Sequence, residues 1–262
     1  MDRPLESLLS ALAALEHAQG QIAECGDVAK PDLSRESRKG VPEVILAEGK
    51  DPADVVEIVR HFLSGTRRAI VSRVSPDLLD LLRLEFPEAQ LHTYPASRTV
   101  VLRDPGCAIP QTGGKVGIIT AGTSDIPVAE QSKIVALEMG CEVMTSYDVG
   151  VAGIHRLFHP LKQMMDAGAD VIIVAAGMDG ALPSVVAGLV DVPVIGLPTS
   201  VGYGMGGKGV SALLSMLQTC SPGLTVVNID NGVGAGATAA LIANRVARAR
   251  ARCASANTAE SE

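Results

Sequence analysis

The amino-acid sequence predicts an α/β protein: a doubly wound parallel sheet in its C-terminal part, preceded by a smaller N-terminal α/β domain. Three observations carry this. From Lys115 onward, five apolar runs each lead into a helix-compatible segment, the signature of successive β-then-α units with helices on both faces. The 262 residues are 47% hydrophobic with 27 glycines, yet only 2% aromatic with no Trp, which suits closely packed aliphatic layers. Between the two parts, residues 103–114 are dense in Pro and Gly and have neither helical nor strand period, so they mark a boundary. The expected division is 1–110, 111–250 and a flexible tail at 251–262.

In chain order, Leu5, Leu8, Leu9, Leu12 and Leu15 recur at helical spacing and predict an amphipathic helix over residues 1–22. A charged stretch at 30–40 follows, and its segment from Asp32 to Gly40 is the expected lid. Short β-type runs at 44–47, 69–72 and 99–102 alternate with helical patterns at 52–63 and 76–86, giving the small α/β unit. In the second part the strands are expected at 116–120, 142–147, 171–175, 194–197 and 225–229. Ligands of such sheets bind at the carboxyl ends of the strands, and the polar or Gly-rich loops of this chain fall there.

Composition also excludes classes. A formal charge of −7 argues against nucleic acid or an anionic membrane as partner. No apolar run approaches the roughly 20 residues that span a bilayer, and Met1-Asp-Arg-Pro-Leu-Glu lacks the layout of a signal peptide, so a cytoplasmic location is expected. Five scattered cysteines (Cys25, Cys107, Cys141, Cys220, Cys253) without a Cys-x-x-Cys pair indicate neither a disulfide framework nor a Cys-based metal site.

The loops supply the candidates. After the first C-terminal strand, Gly122, Thr123 and Ser124 offer N–H and hydroxyl donors at a helix start, a phosphate-type site, and Asp125 either caps that helix or accepts from a ribose hydroxyl. The second loop brings His155, read as acid or base or as a structural residue, and Arg156, which forks onto a phosphate or is simply solvated. The third offers Gly177, Met178 and Asp179, the last an acid, a base or a turn residue. A Gly-rich loop follows with Ser200, Gly202, Tyr203 and Gly204, and the last loop adds Asn231 and Gly232. Between these two loops stands Cys220, a nucleophile or a small packed hydrophobe at the end of the helical pattern 209–219.

Together, Thr120-Ala-Gly-Thr-Ser-Asp-Ile-Pro-Val-Ala-Glu130, Asp148-Val-Gly-Val-Ala-Gly-Ile-His-Arg-Leu157, Gly177-Met-Asp-Gly-Ala-Leu-Pro-Ser-Val-Val186 and Val226-Val-Asn-Ile-Asp-Asn-Gly232 closely resemble the LarB family of nickel-pincer cofactor biosynthesis. Asp32-Leu-Ser-Arg-Glu-Ser-Arg-Lys-Gly-Val-Pro-Glu-Val44 and Glu48-Gly-Lys50 resemble that family's N-terminal signature, so the likeness covers nearly the whole chain. The C-terminal half is also similar to the PurE-class aminoimidazole ribonucleotide carboxylases through Gly122-Thr-Ser-Asp125, Ile154-His-Arg156 and Gly207-Lys-Gly-Val210, which implies a PurE/flavodoxin-like three-layer fold. Those enzymes have an essential His before the Leu-Pro of the third loop, where this chain has Ala181.

The LarB resemblance implies a substrate and a mechanism. Nicotinic acid adenine dinucleotide would be carboxylated by CO2 at ring carbon C5 and hydrolysed to AMP and pyridinium-3,5-biscarboxylic acid mononucleotide. Cys220 would add to the ring, Asp179 would remove the C5 proton, and His155 is the reserve base. The family commonly has Glu where Asp179 stands, Asn-Ser where Gln218-Thr219 stand, and an aromatic where Val233 stands. No tightly bound cofactor is expected. Asp125, Asp179 and Asp230 offer oxygens for a Mg2+ on the diphosphate, without diagnostic ligand spacing. The resemblance further implies a homo-oligomer, octameric as in the purine class. Alternative readings are a PurE-like carboxylase or mutase and a non-catalytic nucleotide-binding module.

Overall fold

The structure is a computed structural model that describes residues 29–259, so the amphipathic helix expected at 1–22 lies outside the described residues. The chain divides into two compact units, one reaching Thr93 and including Arg98–Cys107, the other comprising Tyr94–Ser97 and the chain from Ala108 onward.

In the N-terminal unit a four-stranded sheet has the order β1-β2-β4-β3. Its strands are β1 (Val44–Leu46), β2 (Arg68–Ser72), β3 (Gln90–Tyr94) and β4 (Thr99–Arg103). The helices are α1 (Arg35–Lys39), α2 (Pro52–Thr66) and α3 (Pro76–Glu85). β1 and β2 are parallel and β2 and β4 antiparallel, so the sheet is mixed. Asp51 and Ser75 explain where α2 and α3 begin: each side chain accepts from a first-turn N–H, and each precedes a Pro whose missing donor costs nothing there. Val55, Val59 and Phe62 of α2 and Leu78 and Leu82 of α3 share a core with Val71, Val100 and Leu102 of the sheet. β3 is absent from the sequence reading because Gln-Leu-His-Thr-Tyr is a polar, half-exposed edge strand with little apolar alternation. The segment expected as a lid contains α1. Arg38 donates to Asp32 at 2.6 Å, and the buried Arg68 guanidinium donates to Glu36 at 2.6 Å.

In the C-terminal unit five strands are all parallel, in the order β6-β5-β7-β8-β9. They are β5 (Lys115–Thr120), β6 (Glu142–Ser146), β7 (Val171–Ala176), β8 (Val194–Pro198) and β9 (Leu224–Val226). Helices α4 (Ile126–Glu138), α5 (His155–Asp166), α6 (Leu182–Ala187), α7 (Val210–Leu217) and α8 (Gly232–Ala259) connect and cover them. β7 is wholly buried Val-Ile-Ile-Val-Ala-Ala, the continuous apolar run of a strand covered on both faces. α8 extends into the segment 251–259, where the sequence reading expects a tail.

Close packing of α8 follows from its small residues. A Cβ on Gly236 would overlap Ser132 O of α4, and Ala235, Ala239, Ala240 and Ala243 are fully buried. Asp170, before β7, accepts from Arg250 at 2.6 and 3.2 Å and from Lys115 N–H at 2.8 Å, so α8 is locked to the starts of β5 and β7. Among the described residues no helix is long and apolar enough to cross a membrane.

Candidate active site

In this strand order the first strand, β5, has β6 on one side and β7 on the other, and the connections leaving β5 and β7 diverge to leave a crevice at their carboxyl ends. A cleft of about 290 Å³ lies there. Its walls are Gly122, Ser124 and Asp125 after β5, Gly150–Ala152 after β6, Ala176–Leu182 without Gly180 after β7, and Val201 after β8.

Small residues make the crevice. A Cβ on Gly177 would overlap Val201 O, and one on Gly150 would stand 2.7 Å from Ala121 O, so both backbones approach as only glycine allows. Met178 adopts φ 51° while its N–H donates to Val201 O at 3.1 Å, which turns its side chain out at the cleft. Asp148, Met178, Lys208 and Asp230 all have positive φ, and all four follow strands of this sheet at the carboxyl edge. Such strain collects where function over-determines the backbone.

Asp125 holds the floor together. Its carboxylate is buried and accepts from Thr199 Oγ1 at 2.6 Å, from Gly122 N–H at 2.8 Å and from the Gly177 backbone. Burial raises its carboxyl above the usual range, against the opposing effect of these donors, with the nearby Asp230 charge adding slightly. It therefore ties the loops after β5, β7 and β8, and Thr199 is a partner that the sequence reading missed. The only available signal was a Thr directly after a fully buried strand.

Asp179 is the exposed carboxylate of the cleft, and its Oδ1 accepts from Ala181 N–H at 3.3 Å. Thr123 is exposed on the short turn Thr123–Asp125 that carries Ser124. His155 and Arg156 open α5 at the same edge, outside the lining, and the Arg156 guanidinium donates to Asp148 at 2.8 Å. Ser200 N–H donates to Asp230 at 2.8 Å. Gly202 packs on Met178, while Tyr203 is 83% exposed and Gly204 stands in open space. Asn231 and Gly232 serve α8: Asn231 Oδ1 accepts from Gly234 N–H at 2.9 Å, and Gly232 is buried against Val128 O of α4.

Cys220 is not brought into this cleft. α7 carries the chain away from the carboxyl edge, and Gly223 O, just before β9, accepts from Val194 N–H where β8 begins. The thiol is exposed in that connection. Its neighbours are pinned to α6: Ser184 Oγ donates to Thr219 Oγ1, and Ser221 Oγ donates to Ser184 O, each at 2.9 Å. Proximity in sequence to two Gly-rich loops did not translate into proximity in space. Asp125, offered with Asp179 and Asp230 for a Mg2+, is engaged by Thr199 and Gly122, and among the described residues no group of three His, Cys, Asp or Glu side chains converges.

A further anchored group borders the cleft wall. Tyr147, just before the loop that carries Gly150–Ala152, donates to the nearly buried Glu130 of α4, which also accepts from Lys133 at 3.0 Å. Burial and the Glu130 carboxylate push the Tyr147 phenol well above its usual range, so it stays a neutral donor.

Comparison with known proteins decides the family. Residues 115–261 match the AIR carboxylase family, and residues 22–104 match the LarB/PurE-like N-terminal domain. The chain belongs to the LarB family, with a PurE-like C-terminal domain. An uncharacterized protein of Methanocaldococcus jannaschii is 45% identical over 219 residues, covering 82% of this LarB-type chain and 83% of that protein. The C-terminal domain alone is similar to two N5-carboxyaminoimidazole ribonucleotide mutases. That of Thermotoga maritima is 33% identical, covering 49% of this chain and 74% of its own, and that of M. jannaschii is 35% identical, covering 48% and 74%. These domains support a carboxylase-type role for this LarB-family member.

Proposed function

We propose that the protein carboxylates and hydrolyses nicotinic acid adenine dinucleotide, with CO2 and water, to pyridinium-3,5-biscarboxylic acid mononucleotide and AMP. The observation that carries this reading is the pairing of a LarB-type N-terminal domain with a PurE-like domain whose cleft is lined by Ala181, where the resemblance to the purine enzymes implies an imidazole in theirs. Asp125 is committed to the floor, so Asp179 is the carboxylate free to take a proton.

A pyridinium carbon is electron-poor and does not attack CO2. Addition of the Cys220 thiolate forms a C–S bond and turns the ring into an enamine-like dihydropyridine whose C5 is nucleophilic. C5 bonds to CO2, Asp179 removes the C5 proton, the ring regains aromaticity, and the C–S bond breaks to return the thiolate. Thr123 and Ser124 present donors to the phosphate, while the Gly122 N–H stays on Asp125, and Arg156 would exchange Asp148 for the phosphate. Because Cys220 lies outside the cleft of its own chain, the reading takes the thiol from a neighbouring copy in a homo-oligomer. Incubation with the dinucleotide and bicarbonate is expected to release dicarboxylated mononucleotide and AMP in equal amounts, read by mass spectrometry. Turnover of an aminoimidazole ribonucleotide, with none of the dinucleotide, would return the mutase reading that the relatives' names suggest.

A further inference from the structure

In the N-terminal unit a second group of left-handed, non-glycine residues awaits an explanation. Arg67 (φ 62°) closes α2 and Arg98 (φ 51°) follows the 3-10 turn Pro95–Ser97, whereas Arg73 (φ 55°) caps no helix. They adjoin one another at one end of the β2–β4 ladder, where Val74 N–H donates to Arg98 O at 2.8 Å. Both guanidinia converge on one side chain: Glu48 Oε2 accepts from Arg73 at 2.5 Å, and Glu48 Oε1 lies 3.5 Å from Arg98. Lys50, in the same turn as Glu48, extends its ammonium to Leu46 O at 2.8 Å, a neutral partner that leaves its charge uncompensated. Asp51, the next acidic side chain, is turned to Ala53 N–H at 2.9 Å as the cap of α2.

Two cations thus share one carboxylate, with Lys50 two residues along the chain from it, at the carboxyl edge of the parallel pair β1–β2, the edge at which α2 starts. Glu48 and both arginines are exposed by a third or more, so an incoming anion reaches them without unfolding anything. Exposed pairs of this kind add little stability, so the convergence of both arginines on Glu48 has little structural return. A phosphate group satisfies the arrangement: its oxygens take the guanidinium forks now held by Glu48 and the Lys50 ammonium beside them. We propose that Lys50, Arg73 and Arg98 form a phosphate-binding site on the N-terminal unit, taking the phosphate ester of a nucleotide. The proposal rests on the function above only for which nucleotide brings the phosphate.

Hydrogen exchange on the full chain, with inorganic pyrophosphate and the dinucleotide as separate probes, tests it without requiring turnover, so a failed carboxylase assay leaves the result readable. Pyrophosphate is expected to slow exchange at residues 47–50 and 73–75. Arg73→Gln with Arg98→Gln should weaken the effect about tenfold or more, in line with the loss of charge-assisted bonds. Glu48→Gln, which frees both guanidinia, should strengthen it severalfold, whereas a purely structural ion network would lose stability and show no gain in binding. If the arginine variant does not fold, Lys50→Gln reads the same loss with the Arg–Glu pairs intact. Protection by the dinucleotide as well assigns the site to substrate; protection by pyrophosphate alone supports the site with free phosphate as its source. Absence of protection at both segments in the wild-type chain, or protection unchanged in the double arginine variant, overturns the proposal.

Discussion

Asp125 is a carboxylate in a place that charges avoid, and its neighbours explain why it is tolerated there. Donors from Thr199, Gly122 and Gly177 surround it, yet burial still raises its carboxyl in the folded chain. The sign follows. A group whose native proton affinity exceeds its unfolded one stabilises the fold while protonated, and that contribution fades as pH rises. Relative to Asp125→Asn, the wild-type chain should therefore lose stability as pH climbs from about the ordinary carboxyl value of 3.8 through the higher native one, as checked by urea unfolding at a series of pH values. The sequence showed Asp125 at a helix start and offered capping or ribose binding. It did not show Thr199, 74 residues on, because nothing local announces a contact made across two strands. Asp179 was legible in its loop, and the structure adds that it lines the cleft while Oδ1 accepts from Ala181 N–H.

Elements were legible where one physical signal dominated. The central parallel strands β5, β7 and β8 are buried on both faces and read as continuous apolar runs, so their order in the chain was plain from Lys115 onward, with the exposed β6 and β9 at the sheet edges. β3 and α1 escaped because exposed polar edges carry no such signal. Cys220 stands outside the cleft of its own chain for a geometric reason: α7 has eight residues, and a helix of that length moves the chain about 12 Å along its axis, so loops flanking it in sequence stand apart in space. α8 depends on close approach to α4, and the test is direct. Gly236→Ala would drive a methyl into the α4 backbone and should cost about 1–3 kcal/mol in chemical denaturation, more than the same substitution at the open Gly49 in the other unit would cost through its positive φ alone.

At the scale of the whole molecule, the cleft of one chain holds a base candidate and a phosphate-loop edge but not the thiol that the proposed chemistry needs. A composite site resolves this, and it makes a complementation prediction. Cys220→Ser and Asp179→Asn chains, each inactive alone, should regain a fraction of wild-type turnover when co-assembled, because some sites then pair an intact thiol with an intact carboxylate. No recovery in verified mixed oligomers would place thiol and base on the same chain.

Covalent catalysis by Cys220 is the centre of the account, and peptide-resolved mass spectrometry of protein quenched during turnover with the dinucleotide and bicarbonate addresses it most directly. The prediction is a pyridine nucleotide adduct on the peptide containing Cys220, with no adduct and no dicarboxylated product from Cys220→Ala; formation of that product by Cys220→Ala at the wild-type rate would contradict it.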